Sequence, residues 1–269
     1  MTFPEQPVQQ GDRSFALMAA VAAITSLPLA AGNLLAMLAT VHFNLDGMTN
    51  PLVLLHVGAG GAGPWRWSMV LDIAGYYLPI IPVTLLLRSS LRVRGPLWAD
   101  LFALCLLSYC LIGAIGGAEL ATALPTLIKQ YATSPGHRPA LQMVFTGFTD
   151  GIYRGMWNLL EEFLAGIGWL GFGVIMRASD RWLGLITIVL GIACLTDSAG
   201  TALDIDSVAS TGLTIYLVLA PVWACWLGGR VLRRLSVGRS AVPGHPDPSA
   251  ASSERPASAD HDYGKAWRA

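Results

Sequence analysis

Charge is the scarce ingredient of this chain. Asp, Glu, Lys and Arg make up 13% of its 269 residues, about half the roughly 25% of an ordinary soluble domain. Hydrophobic residues make up 54% and the mean hydropathy is +0.54. So little charge cannot cover the surface of a soluble globular enzyme, and so much apolar side chain excludes a disordered chain. Seventeen basic residues balance seventeen acidic ones, which excludes a basic nucleic-acid binder. The solvent for most of the chain is lipid, and the expected first partner is the bilayer.

Other absences narrow the chemistry. The four cysteines, Cys105, Cys110, Cys194 and Cys225, lie in apolar runs and form no CxxC pair, so they read as small buried hydrophobes rather than a zinc or redox site. The glycine run Gly58–Gly63 lacks the GK[ST] ending of a phosphate loop and reads as a flexible linker. No cofactor is implied. Glu161-Glu162 begins like the EExxxR motif of membrane-embedded proteases, but Gly166 stands where the arginine belongs. Within the apolar spans, a GxSx serine with histidine, a GxGD pair and a lysine are all missing. No HxxxH or HExxH spacing brings His42 and His56 into a metal motif, so a metal is not assigned.

Six runs are apolar enough to cross a bilayer, which takes about 20 residues: Phe15–Thr40, Trp67–Leu87, Leu97–Leu124, Tyr153–Met176, Trp182–Ala199 and Thr211–Gly229. None alternates polar with apolar, so a β-barrel is excluded. The expected fold is all-α, a polytopic six-helix transmembrane bundle over residues 15–235. Residues 1–14 form a cytoplasmic N-terminal segment. Residues 236–269, rich in Pro, Ser and Ala, read as a disordered cytoplasmic tail. Pro28, Pro79, Pro82 and Pro221 predict kinks. Asn50-Pro51 followed by Leu52–Leu55 predicts a capped helix too short to span. Trp65 and Trp67 are expected at headgroup level, and Pro139–Gly147 as a surface helix. Arg13, Arg88, Arg92, Arg94, Arg177, Arg181, Arg230, Arg233, Arg234 and Arg239 fall on one side. Arg66, Lys129, Arg138 and Arg154 fall on the other. By the positive-inside rule, both termini lie in the cytoplasm of a bacterial cell membrane. Gly113 and Gly117, and Gly184 and Gly191, have spacings that let helices approach closely.

An ionisable side chain at membrane depth costs at least about 2.5–3.5 kcal/mol on insertion scales and asks for a partner or a role. The threading brings Asp72, Glu119, Glu161, Glu162 and Asp197 to the outer half, on four helices, with Asn33 and Tyr216 at similar depth. Arg154, Asn158 and Glu162 are spaced i, i+4, i+8, which on an α-helix is one face. Asp72 and Tyr76 are spaced i, i+4. The expected site is an acidic cavity in the outer half, bounded by Asp72, Tyr76, Glu119, Arg154, Asn158, Glu161, Glu162 and Asp197.

Several stretches resemble an uncharacterised family of bacterial, chiefly actinobacterial, membrane proteins. Ala165-Gly166-Ile167-Gly168-Trp169-Leu170-Gly171 within Trp157–Gly173 is similar to its glycine- and tryptophan-rich segment. Leu183-Gly184-Leu185-Ile186-Thr187 to Leu190-Gly191, and Tyr216 to Ala220-Pro221-Val222-Trp223-Ala224-Cys225-Trp226-Leu227-Gly228, look like its later segments. Asp72 to Leu78 and Gly113 to Pro125 also look similar. The likeness covers roughly residues 15–235. It implies six helices and no assigned activity.

Three readings stay open on the residues alone. The leading one is a module that binds a small ligand or cation, for transport or sensing, in the acidic cavity. The alternative is a structural or accessory subunit whose polar layer only fixes packing. The third is an intramembrane enzyme, with two tuned carboxyls as acid and base. Nucleic acid is no partner, and the oligomeric state is not set by the sequence.

Overall fold

The computed structural model describes residues 10–43 and 52–240. Among the described residues there is no strand. Six helical stretches are long and apolar enough to cross a membrane: Gly11–Thr40, Ala59–Arg94, Pro96–Thr133, Pro135–Met176, Arg181–Ala202 and Asp206–Val237. They are called the first to sixth spans. The chain is all-α, and its apolar helices are those of a multi-pass membrane protein.

The helices overrun the apolar runs at the ends where capping chemistry permits. Pro96 opens the third span in the first helical turn, where its missing N–H costs nothing. Asp180 caps the fifth, its side chain accepting from the Leu183 N–H at 3.2 Å. The first, third and sixth helices continue through Pro28, Pro125 and Pro221. The last helix continues to Ser240, so residues 236–240, expected in the tail, are helical. The remainder of the expected tail, the Asn50-Pro51 cap and residues 1–9 lie outside the described residues.

The third helix has 38 residues, about 57 Å at 1.5 Å per residue, against roughly 30 Å of hydrocarbon. Its surplus, together with helix Arg138–Asp150, helix Val53–His56 and the start of Ala62–Asp72, builds a second apolar core. Leu54, Leu55, Trp65, Leu124, Ile128 and Phe145 are buried there. Two expectations change as a result. Trp65 is no headgroup marker: it is fully buried and donates Nε1–H to the Leu120 carbonyl at 3.2 Å, while Trp67 stays exposed. The glycine run is no free linker either. It turns once at Gly58 (φ +77°) and enters the helix through the tight turn Ala59–Gly61.

The main core joins all six spans and is centred on Leu106, Tyr109, Trp169, Phe172, Leu190 and Trp223. Glycines let backbones meet inside it. A Cβ on Gly173 would lie 2.7 Å from the Ile188 nitrogen, and one on Gly184 2.6 Å from the Arg177 nitrogen. Gly191 faces the Leu170 backbone in the same way. Gly113 and Gly117 face Tyr77 and Ile73 of the second span, so both glycine pairs serve packing within the bundle. Gly191→Ala is therefore expected to destabilise the protein by about 1–3 kcal/mol through overpacking. Gly63→Ala, where nothing lies within 4 Å, should be neutral or slightly stabilising. Thermal unfolding of both variants in detergent checks this; equal melting temperatures would remove the backbone seam as a source of stability.

Candidate functional site

Two wide turns interrupt the spans where the acids sit. Ile73–Tyr77 and Gly151–Glu161 are π-helical. The first begins directly after Asp72, and the Leu78 N–H bonds the Ile73 carbonyl at 3.0 Å. Pro79 and Pro82 follow within a turn and lack the N–H groups that would hold an α-helix there. The second ends on Glu161, with Glu162 opening the next α-helix. Such wide turns concentrate at functional sites in helical proteins.

Four carboxyl side chains are buried at this depth. Asp197 is 0% exposed, Glu161 and Glu162 3%, and Asp72 8%. Glu161 lies within electrostatic range of Glu162, Asp72 and Asp197, and beside the Tyr77 hydroxyl. Glu162 lies beside the Cys194 thiol. Part of each group is satisfied. Asn33 Nδ2 donates to Asp72 Oδ1 at 3.0 Å, and Ser68 Oγ donates to Asn33 Oδ1 at 2.7 Å. Thr201 Oγ1 donates to Asp197 Oδ1 at 3.5 Å. The second oxygen of each acid, Asp72 Oδ2, Glu161 Oε2, Glu162 Oε2 and Asp197 Oδ2, is buried without a hydrogen bond among the described residues. Native interiors leave few such atoms; four in one layer is a concentration of unmet demand.

The rest of the expected site divides. Tyr76 is half-buried and spends its hydroxyl on the Leu217 carbonyl at 3.1 Å, not on Asp72. Asn158 is half-buried. Arg154 and Glu119 do not join the layer. Arg154 is exposed and forms ion pairs with Asp204, in the turn between the fifth and sixth spans, and with Asp206, which opens the sixth. The i, i+4, i+8 argument fails because residues 151–161 are wound with i→i+5 bonds, so that spacing no longer marks one face. Glu119 is exposed because the inward stripe of the third span there is Gly113, Gly116, Gly117 and Leu120.

Sequence reasoning missed Tyr77, Tyr109 and Cys194 as members of the layer. The Tyr109 and Tyr216 hydroxyls contact each other, and Tyr109 also donates to the Tyr76 carbonyl at 3.4 Å. A tyrosine one helical turn before the Gly113–Gly117 stripe was the available signal. Cys194 shares the helix with Asp197 one turn away, where a lone thiol in an apolar run carries no mark of its role. A groove of about 570 Å³ lies nearby between the fourth and fifth spans. It is apolar, lined by Leu159, Leu160, Phe163 and Leu195 with Ser198, Ala199 and Ala202, and is not the expected acidic cavity. Among the described residues, no three His, Cys, Asp or Glu side chains are placed to hold a metal ion.

Compared with protein-family models, with curated proteins and with solved structures, the chain matches none.

The Asn33–Asp72 bond is testable. Asn33→Leu strips Asp72 of its one donor and should cost about 1–3 kcal/mol. In an Asp72→Leu background the same change should cost much less. A double-mutant cycle in thermal unfolding reads the difference; equal losses in both backgrounds would show that the bond contributes no stability.

Proposed function

We propose that this protein is an ion- or small-ligand-binding module of a bacterial cell membrane, acting in transport or sensing through its layer of buried carboxyls. The observation that carries the reading is the set of four unpartnered carboxylate oxygens, drawn from the second, fourth and fifth spans into one layer. Arg154, the one basic residue that sequence spacing directs there, is held in ion pairs at the rim. A buried carboxylate with no counter-charge is expensive. Burying several near one another is more so, unless a positively charged ligand compensates them. A layer built only to fix packing would close its hydrogen bonds internally, as Asn33 and Ser68 begin to do. The other three acids each have one neighbouring hydroxyl or thiol and keep an oxygen with no hydrogen-bond partner among the described residues.

The resemblance to the actinobacterial membrane family agrees with this setting and adds no activity. For orientation, Arg88 and Arg92 pair with Asp100, and Arg230 with Asp180, at the arginine-rich end of the bundle. That bias favours this end as cytoplasmic, which puts the acidic layer in the outer half. Val93 is 91% exposed in the last turn of the second span. Val93→Cys, in a background lacking Cys225, should react with an impermeant maleimide only from the cytoplasmic side. Labelling from outside would invert the topology.

Binding is tested by thermal unfolding of the purified protein in a panel of alkali cations, small amines and pH values, for the wild type and for Glu162→Gln. One condition class should shift the wild-type melting temperature and leave the variant unmoved. Identical responses across the panel would favour the packing-only alternative.

A further inference from the structure

We infer that the ligand of the acidic layer is the proton, held and exchanged at the adjacent Glu161 and Glu162. The inference rests on the binding role proposed above and names its ligand. Glu161 and Glu162 close the second wide turn and open the following α-helix, and each buries an oxygen that nothing bonds. The groups that face them from the second and third spans are Asp72, Tyr77, Tyr109 and Cys110. Those from the fifth and sixth are Cys194, Asp197 and Tyr216. Every one is acidic or neutral. Asn33 of the first span adds an amide, already committed to Asp72.

Compensation must therefore come from a bound positive charge. The geometry argues against a metal ion, since no three ligating side chains come together among the described residues. Packing argues against a bulky ligand on the flank formed by the third span. A Cβ on Gly113 would overlap the Tyr77 ring, and one on Gly116 would overlap Trp157. A proton needs neither a coordination shell nor a void. It also suits adjacent acids: when one carboxyl releases its proton and becomes a carboxylate, its neighbour can take up a proton and become a neutral acid. The net charge of the pair is then unchanged through the transfer.

The test uses dicyclohexylcarbodiimide, an apolar reagent that reaches acids within lipid and reacts with the protonated form. The acid proton passes to a carbodiimide nitrogen and the carboxylate oxygen bonds the central carbon. Acyl migration to nitrogen then leaves a stable N-acylurea. With the full chain in lipid vesicles, mass spectrometry should find the adduct on Glu161 or Glu162, falling several-fold as pH is raised. Asp100, half-exposed and paired with Arg88 and Arg92, should stay unmodified. Glu162→Gln should confine the adduct to Glu161, and the double glutamine variant should lose it.

No adduct on either glutamate, or an adduct insensitive to pH, would overturn the inference. So would an adduct blocked at constant pH by an alkali or ammonium ion, which would assign the site to that cation. The two readings fail separately. A cation-specific thermal shift without labelling keeps the binding role and removes the proton. Labelling with wild type and Glu162→Gln responding alike to every ion and pH keeps the proton site and removes the transport or sensing role.

Discussion

Hydrocarbon offers a buried N–H, C=O or carboxyl nothing to bond to, so every polar group at membrane depth must find its partner inside the protein or do without. Most of the architecture answers that demand. Continuous helices satisfy the backbone. Where a ladder breaks, something local takes over, as when Leu78 bonds back to Ile73 across the wide turn. Isolated hydroxyls turn onto their own helix, as Thr187 does onto the Leu183 carbonyl while accepting from Trp223 Nε1. With these needs met, attraction between helices comes from close packing, which is why glycine rather than leucine occupies so many contact points.

Against that background the acidic layer is the exception that defines the molecule. Several of its neighbours are competent donors that are spent elsewhere. Tyr76 bonds the Leu217 carbonyl, Tyr109 and Tyr216 engage each other, and Ser198 donates to the Leu159 carbonyl at 2.9 Å. The wide turns on the second and fourth spans shape this arrangement. They bring Glu161 and Glu162 to the interior although the residues just before them, Leu159 and Leu160, face outward.

How much of this was legible in the sequence follows from which physics each feature obeys. Hydropathy is a property of long segments, so the six spans and the all-α class could be read directly, with ends misplaced because more polar overruns such as residues 125–133, which carry Lys129 and Gln130, lie beyond the apolar run. Asp72, Glu161, Glu162 and Asp197 could also be read as acids at membrane depth, since all four fall inside the apolar runs. The placements of Arg154 and Glu119 could not. The first rested on 3.6 residues per turn, and nothing in Gly151–Glu161 announces a wider winding. The second depended on which side of the third helix the glycines occupy. The partners of Arg154, Asp204 and Asp206, lie between the fifth and sixth apolar runs, where no helical spacing links them to it. Trp65 shows the same limit, since an indole next to a glycine run looks interfacial until helix Val53–His56 and the third helix close over it.

The glycine seams also set how stiffness is distributed. The fourth and fifth spans touch backbone to backbone at Gly173, Gly184 and Gly191, and the sixth joins them where Gly212 meets the Asp197 backbone. Such contacts have no side chain that can reorient, and the sixth span meets the first in the same way, where a Cβ on Gly228 would lie 2.6 Å from the Ala20 carbonyl oxygen. The first and second spans meet in the same way at Gly75, a Cβ on which would lie 2.9 Å from the Ala30 nitrogen. Glu161, Glu162 and Asp197 therefore sit on the fourth and fifth spans of a continuous seam whose other end carries Asp72. Separating Asp72 from the other three acids means parting backbones at a glycine contact, not turning a side chain.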